Sequence, residues 1–292
     1  MPQAPKMSRM REPLVETDEI AARLGDPSIR LIDCRFDLAH PGWGEAAYRE
    51  AHIGGAVYAH LDRDLSSAVT PTSGRHPLPD PEHLAQTFSR WGIDSSRDVV
   101  AYDQDTGAYA ARAWWLLRWL GHSRVAVLNG GFAAWQAAGL PVRAGMESPA
   151  SAVFEPHPAL EAALETMEVR QRLDSAAIQL VDARAPERFL GLSEPIDSVA
   201  GHIPGAQNHP LSENLGAGGK FLPAGELRRR WVRTLNGHDP ALLVSMCGSG
   251  VTACHNLLAL RAAGLAGGRL YAGSWSEWIR DPGRPVVLSS AP

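Results

Sequence analysis

Cys247 stands where an apolar run, Leu242-Leu243-Val244, gives way to Gly248-Ser249-Gly250-Val251-Thr252 and then to Leu257, Leu258 and Leu260 at helical spacing. The pattern predicts a short buried strand, a tight turn and a helix, with the cysteine at the turn. Gly248 and Gly250 permit backbone conformations closed to bulkier residues, so the N–H groups from Gly248 to Ala253 are expected to converge on one point. Such a nest at the positive end of a helix dipole stabilises an anion. Here that anion is the thiolate of Cys247, which makes it a candidate nucleophile.

The elements that hold this turn belong to a chain of 292 residues, long enough for two domains. Lys and Arg total 28 against 32 Asp and Glu, a net charge of −4, so no basic excess favours a nucleic-acid partner. The opening MPQAPKMSRMREPL lacks the apolar centre of a signal peptide, and no apolar stretch approaches the roughly 18 residues of a membrane span. A soluble, cytoplasmic protein is the expectation. Cys34, Cys247 and Cys254 form no even framework, and free thiols are expected. Cys34 and Cys254 read as small buried hydrophobes.

The chain also repeats itself. VETDEIAARLGDPSIRLIDCR lies over LETMEVRQRLDSAAIQLVDAR at one constant spacing, matching Glu16 with Glu165, Leu24 with Leu173, Asp33 with Asp182 and Arg35 with Arg184. AHIGGA at 51–56 lies over GHIPGA at 201–206, and NGGFAAW at 129–135 over AGSWSEW at 272–278. Each half opens with a short helix, Thr17 or Thr166 being the expected cap region, followed by a strand ending at Asp33 or Asp182. Strand-like runs then alternate with helices such as 110–120. That rhythm predicts an α/β fold of two tandem domains, each a mainly parallel sheet flanked by helices on both faces. The expected bounds are 12–142 and 162–292, with the Ala-, Pro- and Ser-rich segment 143–161 as linker.

Only the second half has the cysteine. The spacing that pairs Gly107 with Gly250 sets Cys247 opposite Gln104, and a one-residue slip sets it opposite Asp103. The first half is therefore expected to wall the cleft and donate polar side chains. A cysteine-based phosphatase would need an arginine six residues past the nucleophile, where Ala253 stands. Cys247, Cys254 and His255 lack zinc-ligand spacing, and no metal site is expected. His52 and His202 recur in both halves and read as structural, as do Asp33 and Asp182, which are expected to bond backbone near the loop. The nine tryptophans follow helix periodicity and read as core.

Three segments, GHIPGA at 201–206, CGSGVTAC at 247–254 and AGSWSEW at 272–278, make the chain resemble the tandem-domain rhodanese-like sulfurtransferases over nearly its whole length. Within that family a C-G-S-G-V-T loop looks like the 3-mercaptopyruvate sulfurtransferases, whereas C-R-K-G-V-T typifies those using thiosulfate. Neutral Gly248 and Ser249 suit a monocarboxylate better than a dianion. The resemblance implies that Cys247 takes sulfur from a small donor as a persulfide and passes it to a thiol or cyanide, without metal or organic cofactor. It also implies a proton relay of Ser249, His76 and Asp62, and contacts to the donor from Arg188, Gly248, Gly250, Val251 and Thr252. The family's second arginine, a few residues beyond Arg188, is here replaced by Ile196, next to Asp197. Thiosulfate is the alternative donor, and a carrier module passing sulfur to a protein is the non-enzymatic alternative. The expected partners are the donor and acceptor, with a thioredoxin-like reductant as a candidate further one; a monomer is expected.

Overall fold

Asp98–Tyr102 and Leu243–Met246 are buried at every position, as central strands covered on both faces must be. They lie at the centres of two five-stranded parallel sheets in the computed structural model, which describes residues 12–288. The reading of the opening segment falls largely on residues 1–11, and the last four residues of the expected second domain likewise lie outside the described ones.

The first sheet runs, in spatial order, Leu14–Val15, Val125–Leu128, Asp98–Tyr102, Ile29–Asp33 and Ala56–Tyr58. The second runs Ala163–Leu164, Arg269–Tyr271, Leu243–Met246, Gln179–Asp182 and Gln207–Asn208. The two orders are the same, strand for strand, and all pairings within them are parallel. Sequence repetition and sheet topology thus agree. Helices Ala110–Trp119 and Thr252–Ala262 are almost wholly buried and pack against each other, so one apolar core runs from Trp114 and Trp115 of the first domain to Leu257 and Leu258 of the second. Trp114, Trp115 and Trp231 are among the large side chains of this core, while Trp135 in the first domain and Trp275 and Trp278 in the second fill separate clusters, all nearly inaccessible.

Two local expectations are corrected, those for the helix caps and for the start of the nucleophile strand, and the one for Asp33 and Asp182 is borne out and extended. The opening helices begin at Thr17 and Thr166, but their caps are Glu16 and Glu165, each exchanging hydrogen bonds with the glutamate at the third helical position, Glu19 or Glu168. The carboxylate reaches an amide that the shorter threonine side chain, already inside the helix, does not. Asp33 and Asp182 accept the backbone N–H of Arg35 and Arg184, both at 3.0 Å, and also grip the side chains of those arginines at 2.7 Å. Their fully buried charge requires a cation as well as amides. Finally, the nucleophile strand starts at Leu243, because Pro240–Leu242 forms a single 3-10 turn.

The segment 143–161 runs across the first domain. Ala152 donates to Ser89 O at 2.9 Å, the Phe154 ring meets Phe88 with centroids 5.1 Å apart, and Glu161 pairs with Arg118 at 2.6 Å.

Candidate active site

Strand Leu243–Met246 delivers Cys247 to the turn, and Gly250 bends the chain back with φ of +76°. A Cβ on Gly250 would lie 2.2 Å from Ala272 O, so the turn has room for no side chain there. Helix Thr252–Ala262 follows, entered through Val251. Among the described residues, Gly250 N–H donates to Cys247 Sγ at 3.1 Å and Ser249 N–H at 3.5 Å, rather than every amide through Ala253. The helix's own hydrogen bonding starts just beyond, where Cys254 N–H donates to Val251 O at 3.0 Å.

The segment Gly273–Trp278 clasps the turn from the side. Ser274 Oγ accepts Cys247 N–H at 3.0 Å and donates to Tyr271 O at 2.8 Å, while Trp275 N–H donates to Cys247 O and Ser276 N–H to Gly248 O. Ser274 does this in the left-handed region, φ 53°, where its first-domain counterpart is Gly131 with φ 56°. A non-glycine residue there costs about 1 to 2 kcal/mol, offset here by two buried hydrogen bonds.

Across this turn lies a strap of the first domain. Arg75 N–H donates to Ser276 Oγ at 3.0 Å. Next to it, buried His76 sets Nδ1 2.7 Å from Ser249 Oγ and Nε2 3.2 Å from Asp62 Oδ1. Asp62, on the short helix Leu61–Asp64, is held below the usual carboxylate range by this hydrogen bond from His76. Burial pushes His76 down, against the opposite pull of Asp62. A carboxylate at Nε2 requires the proton there, leaving Nδ1 of the neutral ring to accept the hydroxyl proton of Ser249. Asp62, His76 and Ser249 thus form one hydrogen-bonded line from the first domain to the second.

Arg112, which the sequence reading passed over in the apolar run AARAWWLLRW, locks the strap to the turn. Fully buried, it donates to Gly250 O and His76 O, both at 3.1 Å, and to Leu65 O at 3.3 Å. Burial lowers its affinity for the proton, and among the described residues it has no carboxylate partner. The equivalent helix position in the second half is His255, whose Nε2 lies 3.1 Å from Thr106 O and which burial pushes down to about 3. Cys254 and Cys34 pack in the interior; burial raises Cys254 to about 12 and Cys34 well above its ordinary value. His52 and His202 stack on Tyr48 and Phe189 and bond the carbonyls of those same residues at 2.8 and 2.7 Å.

Arg188 sits on the short helix Pro186–Phe189 and contacts Glu194 at 2.8 Å and Asp197 at 3.0 Å. Ile196 is exposed, but Arg75 arrives from the first domain and pairs with the other oxygen of Asp197. A Cβ built on Gly248 would fall 2.8 Å from Arg75 Nη2 and 3.5 Å from both terminal nitrogens of Arg188. Two guanidinium groups therefore flank the residue after the nucleophile. Arg75 precedes His76 in sequence, and that adjacency was the available signal.

The rhodanese-like domain model matches residues 16–138 and again 165–281. A probable 3-mercaptopyruvate sulfurtransferase of Pseudomonas aeruginosa is 50% identical over 276 residues, covering 94% of this chain and 97% of its own. A putative thiosulfate sulfurtransferase of Mycobacterium tuberculosis is 40% identical over 282 residues, covering 95% and 98%. The structure of 3-mercaptopyruvate sulfurtransferase from Leishmania major superposes with a TM-score of 0.82 at 31% identity, over 95% of this chain and 75% of that one. With both halves matched and relatives aligned nearly end to end, the chain belongs to the rhodanese-like family and has two copies of the domain in tandem.

Proposed function

We propose that the protein is a sulfurtransferase that moves sulfur from 3-mercaptopyruvate through a persulfide on Cys247 to a small thiol or cyanide. The observation that carries the choice of donor is the 2.7 Å contact between His76 Nδ1 and Ser249 Oγ beside the nucleophile. Removal of sulfur from 3-mercaptopyruvate leaves an enolate whose carbon must gain a proton, whereas thiosulfate leaves as sulfite and needs none. A proton relay is useful only for the first.

In this reading the Cys247 thiolate, held by the Ser249 and Gly250 amides, attacks the donor's sulfur. The S–S bond forms as the C–S bond breaks, with the electron pair passing to the enolate. The proton lost when the thiolate forms is held on His76, its imidazolium stabilised by Asp62, and returns through Ser249 to the enolate carbon. Arg188 and Arg75 hold the donor's carboxylate, and Gly248, Gly250, Val251 and Thr252 shape the floor beneath it. An acceptor thiolate then attacks the outer sulfur and restores Cys247.

The domain bounds 12–142 and 162–292, with 143–161 as connector, form part of the same reading, as does a monomer. Three free, buried thiols favour a reducing, cytoplasmic setting. Among the described residues no helix is long and apolar enough to cross a membrane.

The test is kcat/KM for 3-mercaptopyruvate and for thiosulfate, with cyanide as common acceptor. A preference for 3-mercaptopyruvate of about a hundredfold or more is expected. A preference for thiosulfate would overturn the donor assignment, and inactivity with both would favour a carrier module.

A further inference from the structure

We infer that Asp197 is a built-in carboxylate that occupies the anion subsite of the resting protein and sets which donors can enter. It rests on the reading above only for the idea that the donor has a carboxylate. Asp197 bridges two cations from different domains, Arg75 through Oδ1 and Arg188 through Oδ2, the latter at 3.0 Å. Its side chain is 5% exposed, against 25% for Arg75 and 17% for Arg188. Both guanidinium groups lie against Gly248, next to the nucleophile.

The charges around this point cancel. Arg75 and Arg188 face Asp197 and Glu194, while Arg184, which also approaches Glu194 at 3.4 Å, is bound to Asp182 at 2.7 Å. An incoming anion meets no net positive charge until one of the two acids moves. Glu194 is fixed: its Oε1 also accepts the amides of Ile196 and Asp197, at 3.1 and 3.0 Å. Among the described residues, the Asp197 carboxylate is held by the two arginines alone. It lies in an irregular loop between Glu194 and Gly201, free of helix and strand. Asp197 is therefore the acid that can swing out, and a donor carboxylate can then take its two partners. Donors whose anion does not match that bidentate seat must compete with a carboxylate that does.

The probe is a pair of alkylating agents of nearly equal shape. Iodoacetate has a carboxylate and iodoacetamide is neutral, so the ratio of their rates on Cys247 reports anion attraction at the site and cancels changes in thiolate reactivity. It requires no sulfur donor. In Asp197→Asn, and equally in Asp197→Ser, the iodoacetate to iodoacetamide ratio should rise about tenfold over the parent protein. Adding Arg75→Met to Asp197→Asn should remove most of that gain. A ratio unmoved in both single variants would show that Asp197 only latches the domains together, and would overturn the inference. So would a gain that survives the loss of Arg75. A raised ratio in a protein that turns over no 3-mercaptopyruvate would uphold the subsite and remove the proposed donor.

Discussion

Asp103 and Cys247 occupy the same point of the repeated fold. The carbonyl of Asp103 accepts Phe132 N–H at 2.8 Å and that of Cys247 accepts Trp275 N–H at 3.0 Å, and the preceding residues, Tyr102 and Met246, accept Cys34 and Ala183. In the first domain a carboxylate fills the nest that the thiol fills in the second. Asp103 takes the amides of Gly107 at 2.9 Å, Tyr109 at 2.8 Å, and Asp105 and Ala110 both at 3.2 Å.

Asp103→Ala should therefore destabilise the fold without touching the chemistry. Four buried or partly buried amides lose their acceptor, a loss of about 3 kcal/mol expected from such deletions. Urea unfolding measures it; an unchanged midpoint would show that water replaces the carboxylate freely.

Cys247→Ser should abolish sulfur transfer and leave stability within about 1 kcal/mol, since the hydroxyl fits the same buried space. Intact mass after donor treatment without acceptor should show the parent chain heavier by one sulfur atom and the variant unchanged. A variant that gains the sulfur would place the nucleophile elsewhere.

Ser249→Ala separates the donors. With 3-mercaptopyruvate, kcat should fall about a hundredfold, the usual worth of a positioned proton donor, while thiosulfate turnover stays within a few-fold. Equal losses on both donors would mean that Ser249 shapes the turn rather than moving a proton.

The pH profile follows from His76. Burial lowers its proton affinity, so the ring stays neutral and able to accept a proton down to below its ordinary value of 6.5, and the acid limb of kcat/KM should lie below that pH. Asp62 pulls the other way, so Asp62→Asn should move the limb to still lower pH while reducing kcat. An acid limb that moves upward in Asp62→Asn would contradict the sign of this coupling.

Gly250→Ala tests the turn itself. The new Cβ meets Ala272 O at 2.2 Å and the residue must hold φ of +76°, so destabilisation of about 2 kcal/mol or more and loss of activity are expected together. Thermal unfolding and turnover of one preparation decide it.

Strand-turn-helix periodicity was enough to place Cys247, and the repeat was enough to predict two like sheets. The loop alignment failed by one residue for a local reason: Asp103 to Gly107 spans one residue more than Cys247 to Gly250, so the spacing that aligns the glycines misaligns what precedes them. His76 and Asp62 were named only through the family resemblance, since a loop histidine has no periodic signature. Arg112 and Ser276 act across the domain interface on residues far away in sequence, and no local pattern encodes such a contact, while for Arg75 the one signal was its place next to His76. Ser274 was visible as part of AGSWSEW, but its left-handed backbone was not.

Cys247 is 2% exposed, and an S–S bond extends its reach by only about 2 Å. In the proposed persulfide the outer sulfur would stay close to this buried position, beside a strap that Arg112 and Ser276 pin down. On the proposed function, size is expected to sort the acceptors before chemistry does. Cyanide and slim thiols would then arrive in line with the S–S bond, and a protein acceptor would need a cysteine at the tip of a protruding loop, since a flat protein face would stop short of the sulfur it came to collect.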